Sequence, residues 1–262
     1  MRLAVAATAP FGADVLRRLA QRHDIAYLLT RPDRPKGRGR RVGAPPAKEV
    51  AEELGIEVRQ PERVAELGDP GVDVVVAAAY GALIPRDLLD RAVWLNVHPS
   101  HLPRWRGAAP VERAIMAGDE ITGVSIIRLV EELDAGPVGA VADFPIGPDD
   151  DAGVVFERAA DLGSELLDGV LALQRFTPQE GEATYAEKIS PADRELDWSR
   201  PPEELHNRIR ALSPHIGARA ELHGRRVLVW RSRVVEGRLE LLEVQPEGRR
   251  RMTLEEFERG LR

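Results

Sequence analysis

An amide and an imidazole stand two residues apart in Trp94-Leu95-Asn96-Val97-His98. The segment reads as the end of a strand, and the two-residue period of a strand puts Asn96 and His98 on one face. A strand this apolar, entering a parallel sheet, is normally buried on both faces, so two polar side chains at its carboxyl end are costly unless they line a cleft. Open α/β sheets bind ligands at that edge. A lone His or Asn would more often cap a turn or satisfy backbone groups. The pair, together with the loop that follows, favours an active site.

That loop is Pro99-Ser100-His101-Leu102-Pro103, stiffened by two prolines, followed by Arg104-Trp105-Arg106-Gly107. Two guanidinium groups around an indole on a stiff backbone suggest an anionic ligand. Pro110 then fits the first turn of a helix over Val111 to Ala117, stopped by Gly118.

Asn96-x-His98, then Ser100-x-Leu102-Pro103-Arg104-Trp105-Arg106-Gly107-Ala108-Ala109-Pro110, and further on Thr122-Gly123-Val124 and Leu133-Asp134-Ala135-Gly136, closely resemble the methionyl-tRNA formyltransferase family. The resemblance implies formyl transfer from 10-formyltetrahydrofolate to the amino group of initiator methionyl-tRNA, with Asn96, His98 and Asp134 as catalytic residues. Without it Asp134, in a glycine-containing loop, reads as a solvated turn former. The resemblance also assigns Ser100, His101, Leu102 and Pro103 to the folate, and Tyr80-Gly81-Ala82-Leu83-Ile84-Pro85 to the pterin pocket through Ala82, Leu83 and Ile84. His101 stands where the family commonly has Leu, Pro99 where it has a small residue, and Ala7 where it usually has Gly.

The elements that must position these residues begin with Arg2 to Ala7 as a buried strand, Ala13 to Gln21 as an amphipathic helix and Ile25 to Thr30 as a second strand, a β-α-β start. The turn Ala7-Thr8-Ala9-Pro10-Phe11-Gly12 lacks a G-x-G-x-x-G fingerprint, which argues against a nicotinamide cofactor. Ala47 to Leu54 reads as a helix, Glu57 to Gln60 as a short strand, and Val72 to Ala79 as a strand buried on both faces. Strands over Val124 to Leu129 and Val138 to Phe144 and a long helix over Ala152 to Leu173 complete a Rossmann-like parallel-sheet formyltransferase domain, residues 1–173.

Residues 174–187 are polar and aperiodic and read as a linker. Residues 188–262 form a second domain: Asp197-Trp198-Ser199, a helix from Pro202 to Leu212, strands over Ala218 to Leu222, Arg225 to Arg231 and Leu239 to Val244, and a capping box at Thr253 for a last helix. The resemblance makes this a small OB-like β-barrel that binds tRNA. Only Ser232 to Arg238 separates its last two strands, so the barrel is expected to be shortened.

Composition fits a soluble globular protein of 262 residues, 43% hydrophobic and 31% charged, with no apolar run long enough for a membrane span and no secretory signal. A cytoplasmic monomer is expected. The absence of Cys excludes disulfides, thiolate catalysis and Cys-based metal sites. The net charge of −6 argues against nucleic-acid binding by the whole surface, so local clusters matter. The densest spans residues 31–41, where Arg31, Arg34, Lys36, Arg38, Arg40 and Arg41 face one acid, Asp33. Its prolines and glycines forbid a helix or central strand and make it an exposed loop. It resembles the basic loop the family places against the tRNA acceptor end, and Arg208 and Arg210 are expected to add phosphate contacts.

Attack of an amine on a formyl carbon passes through a tetrahedral intermediate whose oxygen carries negative charge and needs hydrogen-bond donors. An Asn amide and a protonated His supply them, a nearby Asp orients the ring and accepts a proton, and no metal is required. An α-amino nucleophile has a pKa of about 8 and is partly neutral at physiological pH. Three other readings share some of these features: a related formyltransferase acting on an amino sugar nucleotide or purine precursor, a folate hydrolase, and a non-catalytic RNA-binding module. The Arg104-to-Pro110 segment and the basic loop favour the methionyl-tRNA reading.

Overall fold

Arg2–Ala7 (β1) has no solvent-exposed residue after its first, because neighbouring strands cover both its edges and packed side chains cover both its faces. The computed structural model describes residues 2–36 and 41–261. The helix Pro10–Ala20 (α1) follows, with Pro in its first turn and Val15, Leu16 and Leu19 fully buried. Asp24–Leu29 (β2) lies parallel to β1.

Arg34–Lys36 (β3) and Arg41–Gly43 (β4) pair antiparallel as a two-stranded ribbon of their own. The segment expected to be a loop is thus paired at its two ends. Its prolines suit a free-standing ribbon, since Pro is tolerated on edges and not inside a sheet. Pro46–Glu53 (α2), Val58–Arg59 (β5) and Val74–Ala78 (β6) come next, then Arg86–Leu89 (α3) and Val93–His98 (β7). Arg106–Gly107 (β8) precedes Pro110–Ala117 (α4), which Gly118 ends in the left-handed conformation. Ile121–Arg128 (β9), Val138–Pro145 (β10) and the 22-residue helix Ala152–Leu173 (α5) follow.

Seven of these strands form one sheet in the order β10-β9-β7-β6-β1-β2-β5. Five of them, β7, β6, β1, β2 and β5, run parallel, whereas β9 is antiparallel to β7, with His98 opposite Ser125 and Leu95 opposite Arg128. The Rossmann-like sheet therefore has the expected parallel strands at its centre and is mixed through β9. The chain leaves β7 at its carboxyl end and starts β9 at that same edge, and a return from the same edge must run antiparallel. One core cluster gathers Ala4, Ala6, Tyr27, Leu29, Val75, Ala77 and Trp94, and the Trp94 indole N–H donates to the Leu88 carbonyl at 2.9 Å.

Tyr185–Ala186 (β11) pairs with β8. Pro202–Ala211 (α6), Ala218–Leu222 (β12), Arg225–Val235 (β13), Arg238–Pro246 (β14), Met252–Thr253 (β15) and Leu254–Arg259 (α7) complete the chain. The last four strands form an antiparallel sheet in the order β12-β13-β14-β15. It is an open sheet, with no pairing of β12 to β15 among the described residues. Residues Ser232 to Arg238, read from sequence as a connector, are the end of β13, a two-residue turn and the first residue of β14. Glu236 and Gly237 both have positive φ, the requirement of the tight hairpin that matches strand twist. The core under this sheet joins Leu205, Ile209 and Leu212 to Val227, Val229, Val244 and Phe257. Thr253 caps α7 through the expected capping box with Glu256.

Contacts divide the chain into two compact units: residues 1–106, 123–143 and 157–184 in one, and 107–122, 144–156 and 185–262 in the other. This division is discontinuous, unlike the single cut across residues 174–187 read from sequence. No helix among the described residues is long and apolar enough to cross a membrane.

Candidate active site

β7 ends at His98, so its last two alternate residues on one side, Asn96 and His98, reach the carboxyl edge of the parallel strands. Asn96 is half-buried and His98 buried. The loop between β9 and β10 brings Asp134 to them. The Asn96 Nδ2 donates to Asp134 Oδ1 at 3.3 Å, and His98 Nδ1 stands 3.7 Å from Asp134 Oδ2. All three side chains expected to act together are within reach of one small group.

The Trp105 carbonyl fixes the state of the ring. A carbonyl only accepts, so the His98 Nε2 carries the hydrogen that meets it at 2.8 Å. Nδ1 is left as the nitrogen facing Asp134, and it becomes a donor only when the ring is protonated. Trp105 itself adopts a left-handed φ of 64°, and its N–H donates to Thr184 Oγ1 at 2.9 Å. Sequence reasoning missed this carbonyl, because a backbone group leaves no mark on residue type.

Asp134 is also in the left-handed region, with φ 48°. The turn that puts it there needs Gly136, where an added Cβ would lie 1.7 Å from the Arg128 carbonyl oxygen. The Leu-Asp-Ala-Gly pattern is thus a backbone requirement as much as a chemical one. Gln179 closes the loop from the other side: its Nε2 donates to the carbonyls of Asp134 and Gly136 at 2.7 and 2.8 Å.

Residues 1–171 match the formyl transferase family, and residues 188–238 match the formyl transferase C-terminal domain. The chain is 40% identical to a methionyl-tRNA formyltransferase of Paracoccus denitrificans (strain Pd 1222), over 100% of this chain and 98% of that protein. The chain belongs to the methionyl-tRNA formyltransferase family. That alignment runs over 293 positions, more than this chain's own length, so the relative carries residues that have no counterpart here. Among solved structures, a methionyl-tRNA formyltransferase from Clostridium thermocellum shares the fold with a TM-score of 0.69 at 16% identity, covering 94% of this chain and 98% of that one. HypX from Aquifex aeolicus in complex with tetrahydrofolic acid does so with a TM-score of 0.65 at 17% identity, over 98% of this chain and 46% of that one.

The family's folate segment is well braced here. Ser100 is fully buried; its Oγ donates to the Arg104 carbonyl at 2.7 Å, and its own carbonyl accepts from Ser125 Oγ at 2.7 Å. Leu102 is buried, with its N–H donating to Ser125 Oγ at 3.1 Å. The side chains of these two therefore shape the loop from inside, while His101 is exposed and paired with Asp143 and Pro103 is half-buried. In the other segment Ala82 and Ile84 are half-buried and Leu83 is 75% exposed.

The two guanidinium groups read as anion binders have other occupations. Arg104 lies over the Trp105 ring, 4.5 Å from its centroid. Arg106 has a side chain only 12% exposed; it donates from Nε and Nη2 to Gln179 Oε1 at 3.1 and 2.8 Å, and Nη1 is 3.5 Å from Glu132. Arg106 is a structural cation, drawn inward because its fork finds acceptors there. Arg210 is likewise buried and donates to the carbonyls of Gly147 and Asp150 and to Asn207, which removes it from the expected phosphate contacts. Arg208 donates to the carbonyls of Asp193 and Glu195 at 3.3 and 3.4 Å.

In the basic segment, Arg31 is half-buried and Arg34 exposed. Arg38 and Arg40 lie outside the described residues. Asp33, the one acid of the cluster, accepts from Lys48 Nζ at 2.8 Å and Gln60 Nε2 at 2.7 Å, so its charge is engaged from outside the segment.

Proposed function

We propose that Asn96, His98 and Asp134 carry the reaction of this formyltransferase. The chain transfers a formyl group from 10-formyltetrahydrofolate to the free amino group of methionyl-tRNA, the form used to begin translation. The observation that supports this residue assignment is their convergence, with Asp134 within 3.3 Å of Asn96 and 3.7 Å of His98 at the sheet's carboxyl edge.

The chemistry follows from the atoms available. The amine attacks the formyl carbon, a carbon–nitrogen bond forms to it, and the bond to the folate N10 breaks. Asn96 has two amide hydrogens, of which one goes to Asp134, so the other is available to the formyl oxygen. His98, held by Trp105 with its Nε2 hydrogen committed, presents Nδ1 on the side of Asp134 and donates from it when the ring is protonated. Asp134 accepts the proton the amine must lose, directly or through water, and N10 takes up a proton as it leaves. Both side chains are held in place before substrate arrives, Asn96 by Asp134 and His98 by the Trp105 carbonyl, which is the arrangement that stabilises developing charge most effectively.

The folate fits this edge by chemistry: exposed Leu83 offers an apolar face for a flat ring, and the Ser100-to-Pro103 loop is held rigid by its internal hydrogen bonds. HypX, which shares the fold, is described with tetrahydrofolic acid bound. We assign Ser100, His101, Leu102, Pro103, Ala82, Leu83 and Ile84 to the donor, and Arg31, Arg34, Lys36, Arg38, Arg40 and Arg41 to the acceptor end of the tRNA. The same reading makes the chain a cytoplasmic monomer.

The decisive experiment is formylation of charged initiator tRNA with 10-formyltetrahydrofolate. Neutralising Arg38, Arg40 and Arg41 together should weaken tRNA binding and flatten its salt dependence while leaving folate binding unchanged. If tRNA affinity and salt slope stay as they were while a small amine is still formylated, the amino-sugar reading replaces this one.

A further inference from the structure

Four hydrogen bonds saturate the carboxamide of Gln179. Its two N–H groups go to the carbonyls of Asp134 and Gly136, and its oxygen accepts two bonds from Arg106. That is the full capacity of a primary amide, and its orientation is forced. Only the nitrogen can face two carbonyls, and only the oxygen can face a guanidinium. Arg106 is in turn held by its backbone N–H on the Thr184 carbonyl at 2.9 Å and by Glu132. We propose that Gln179 is a positioning residue for formyl transfer, fixing the Asp134 carboxylate through the backbone of its loop.

The left-handed region is uncommon for a residue with a Cβ, so what holds the loop at Asp134, φ 48°, decides where its carboxylate points. The 2.7 Å bond from Gln179 grips the carbonyl of Asp134 itself. If the loop relaxes, the carboxylate moves away from both His98 and Asn96, and a displacement of about 1 Å at such a site costs on the order of a hundredfold in rate. Merely tying down the segment after α5 does not require this amide. Val138 and Thr177 already exchange two backbone hydrogen bonds at 2.8 and 2.9 Å, and Thr184 holds the chain at Trp105.

The inference rests on the role given to Asp134 above, and the experiment separates the two. Wild type, Gln179→Leu and Gln179→Glu are compared for kcat and for KM toward methionyl-tRNA and 10-formyltetrahydrofolate, with melting temperature as the check on folding. Gln179→Glu keeps an oxygen for Arg106 but turns an acceptor toward two carbonyls. If the residue positions Asp134, both variants lose about ten- to a hundredfold in kcat, with KM values within about twofold of wild type. The kcat of Gln179→Glu relative to wild type should also rise as the pH is lowered, because a protonated carboxyl regains one donor. Should Gln179→Leu fail to fold, Gln179→Glu alone carries the test. A Gln179→Glu variant with wild-type kcat, or a ratio flat in pH, overturns the inference. A wild-type enzyme that does not formylate methionyl-tRNA overturns instead the function on which it rests.

Discussion

Glu112, in the first turn of α4, should set a pH dependence of stability that one substitution removes. A carboxylate at a helix N-terminus beside Arg113 would ordinarily be favoured. Burial outweighs both and pushes its pKa from 4.5 up to about 7, and Oε2 has no hydrogen-bond partner among the described residues. The folded value lies above the unfolded one, so the native state holds the proton more tightly. The associated stability is complete below about pH 4.5 and is lost as the pH rises toward about 7, after which the deficit is constant. At ~1.36 kcal/mol per pH unit the gap is worth about 3 kcal/mol. Glu112→Gln keeps the shape and has no charge to desolvate. It should match wild type near pH 4.5 and melt roughly 6–10 °C higher at pH 8, using the ordinary relation between free energy and Tm for a chain of this size. Thermal unfolding of both proteins from pH 4.5 to 8.5 makes the comparison. A difference in Tm that does not grow with pH, or a variant less stable at pH 8, would refute the burial argument.

Three further outcomes are expected. His98→Ala should fold normally and lose about a hundredfold or more in kcat, the usual cost of removing one oxyanion donor, and near-normal turnover would remove His98 from the mechanism. Gly136→Ala should destabilise the protein by about 1–3 kcal/mol and depress kcat, since its Cβ would lie 1.7 Å from the Arg128 oxygen; a variant with wild-type Tm and kcat would show that the Asp134 loop tolerates the shift. Asp193 takes two bonds from Arg113 at 2.8 and 3.0 Å, which hold its carboxyl well below the usual carboxylate range. Its contribution is present above about pH 4 and lost in acid, so Asp193→Asn should cost about 1–2 kcal/mol at neutral pH and less as the pH falls, as urea titrations can check.

The strands and helices of the sheet were legible because their patterns are local: α5 and β12 have the bounds read from sequence, and β1 and β6 stand out as unbroken apolar runs. Asn96 and His98 could be paired by strand period alone. Asp134 could not, since a carboxylate in a glycine-containing turn has no periodicity to say where it points; only its resemblance to a family motif singled it out. The antiparallel course of β9 was hidden because direction depends on which edge the chain returns from. Arg106 and Arg210 were misread for a related reason. A guanidinium on a sequence reads as exposed charge, and whether carbonyl and amide oxygens wait for it inside is settled only by tertiary packing. Gln179 left no signal at all, being one polar residue in a polar stretch.

The bonds from residues 179 and 184 bear on where this enzyme could be shortened. A chain cut at the end of α5 would keep Asn96, His98 and Asp134, and by motif it would look like a complete catalyst. It would lack the amide that grips the Asp134 loop and the threonine that holds Trp105, whose carbonyl fixes the tautomer of His98. On the proposed roles of these residues, the smallest fragment with a chance of turning over extends past Thr184, eleven residues beyond the end of α5.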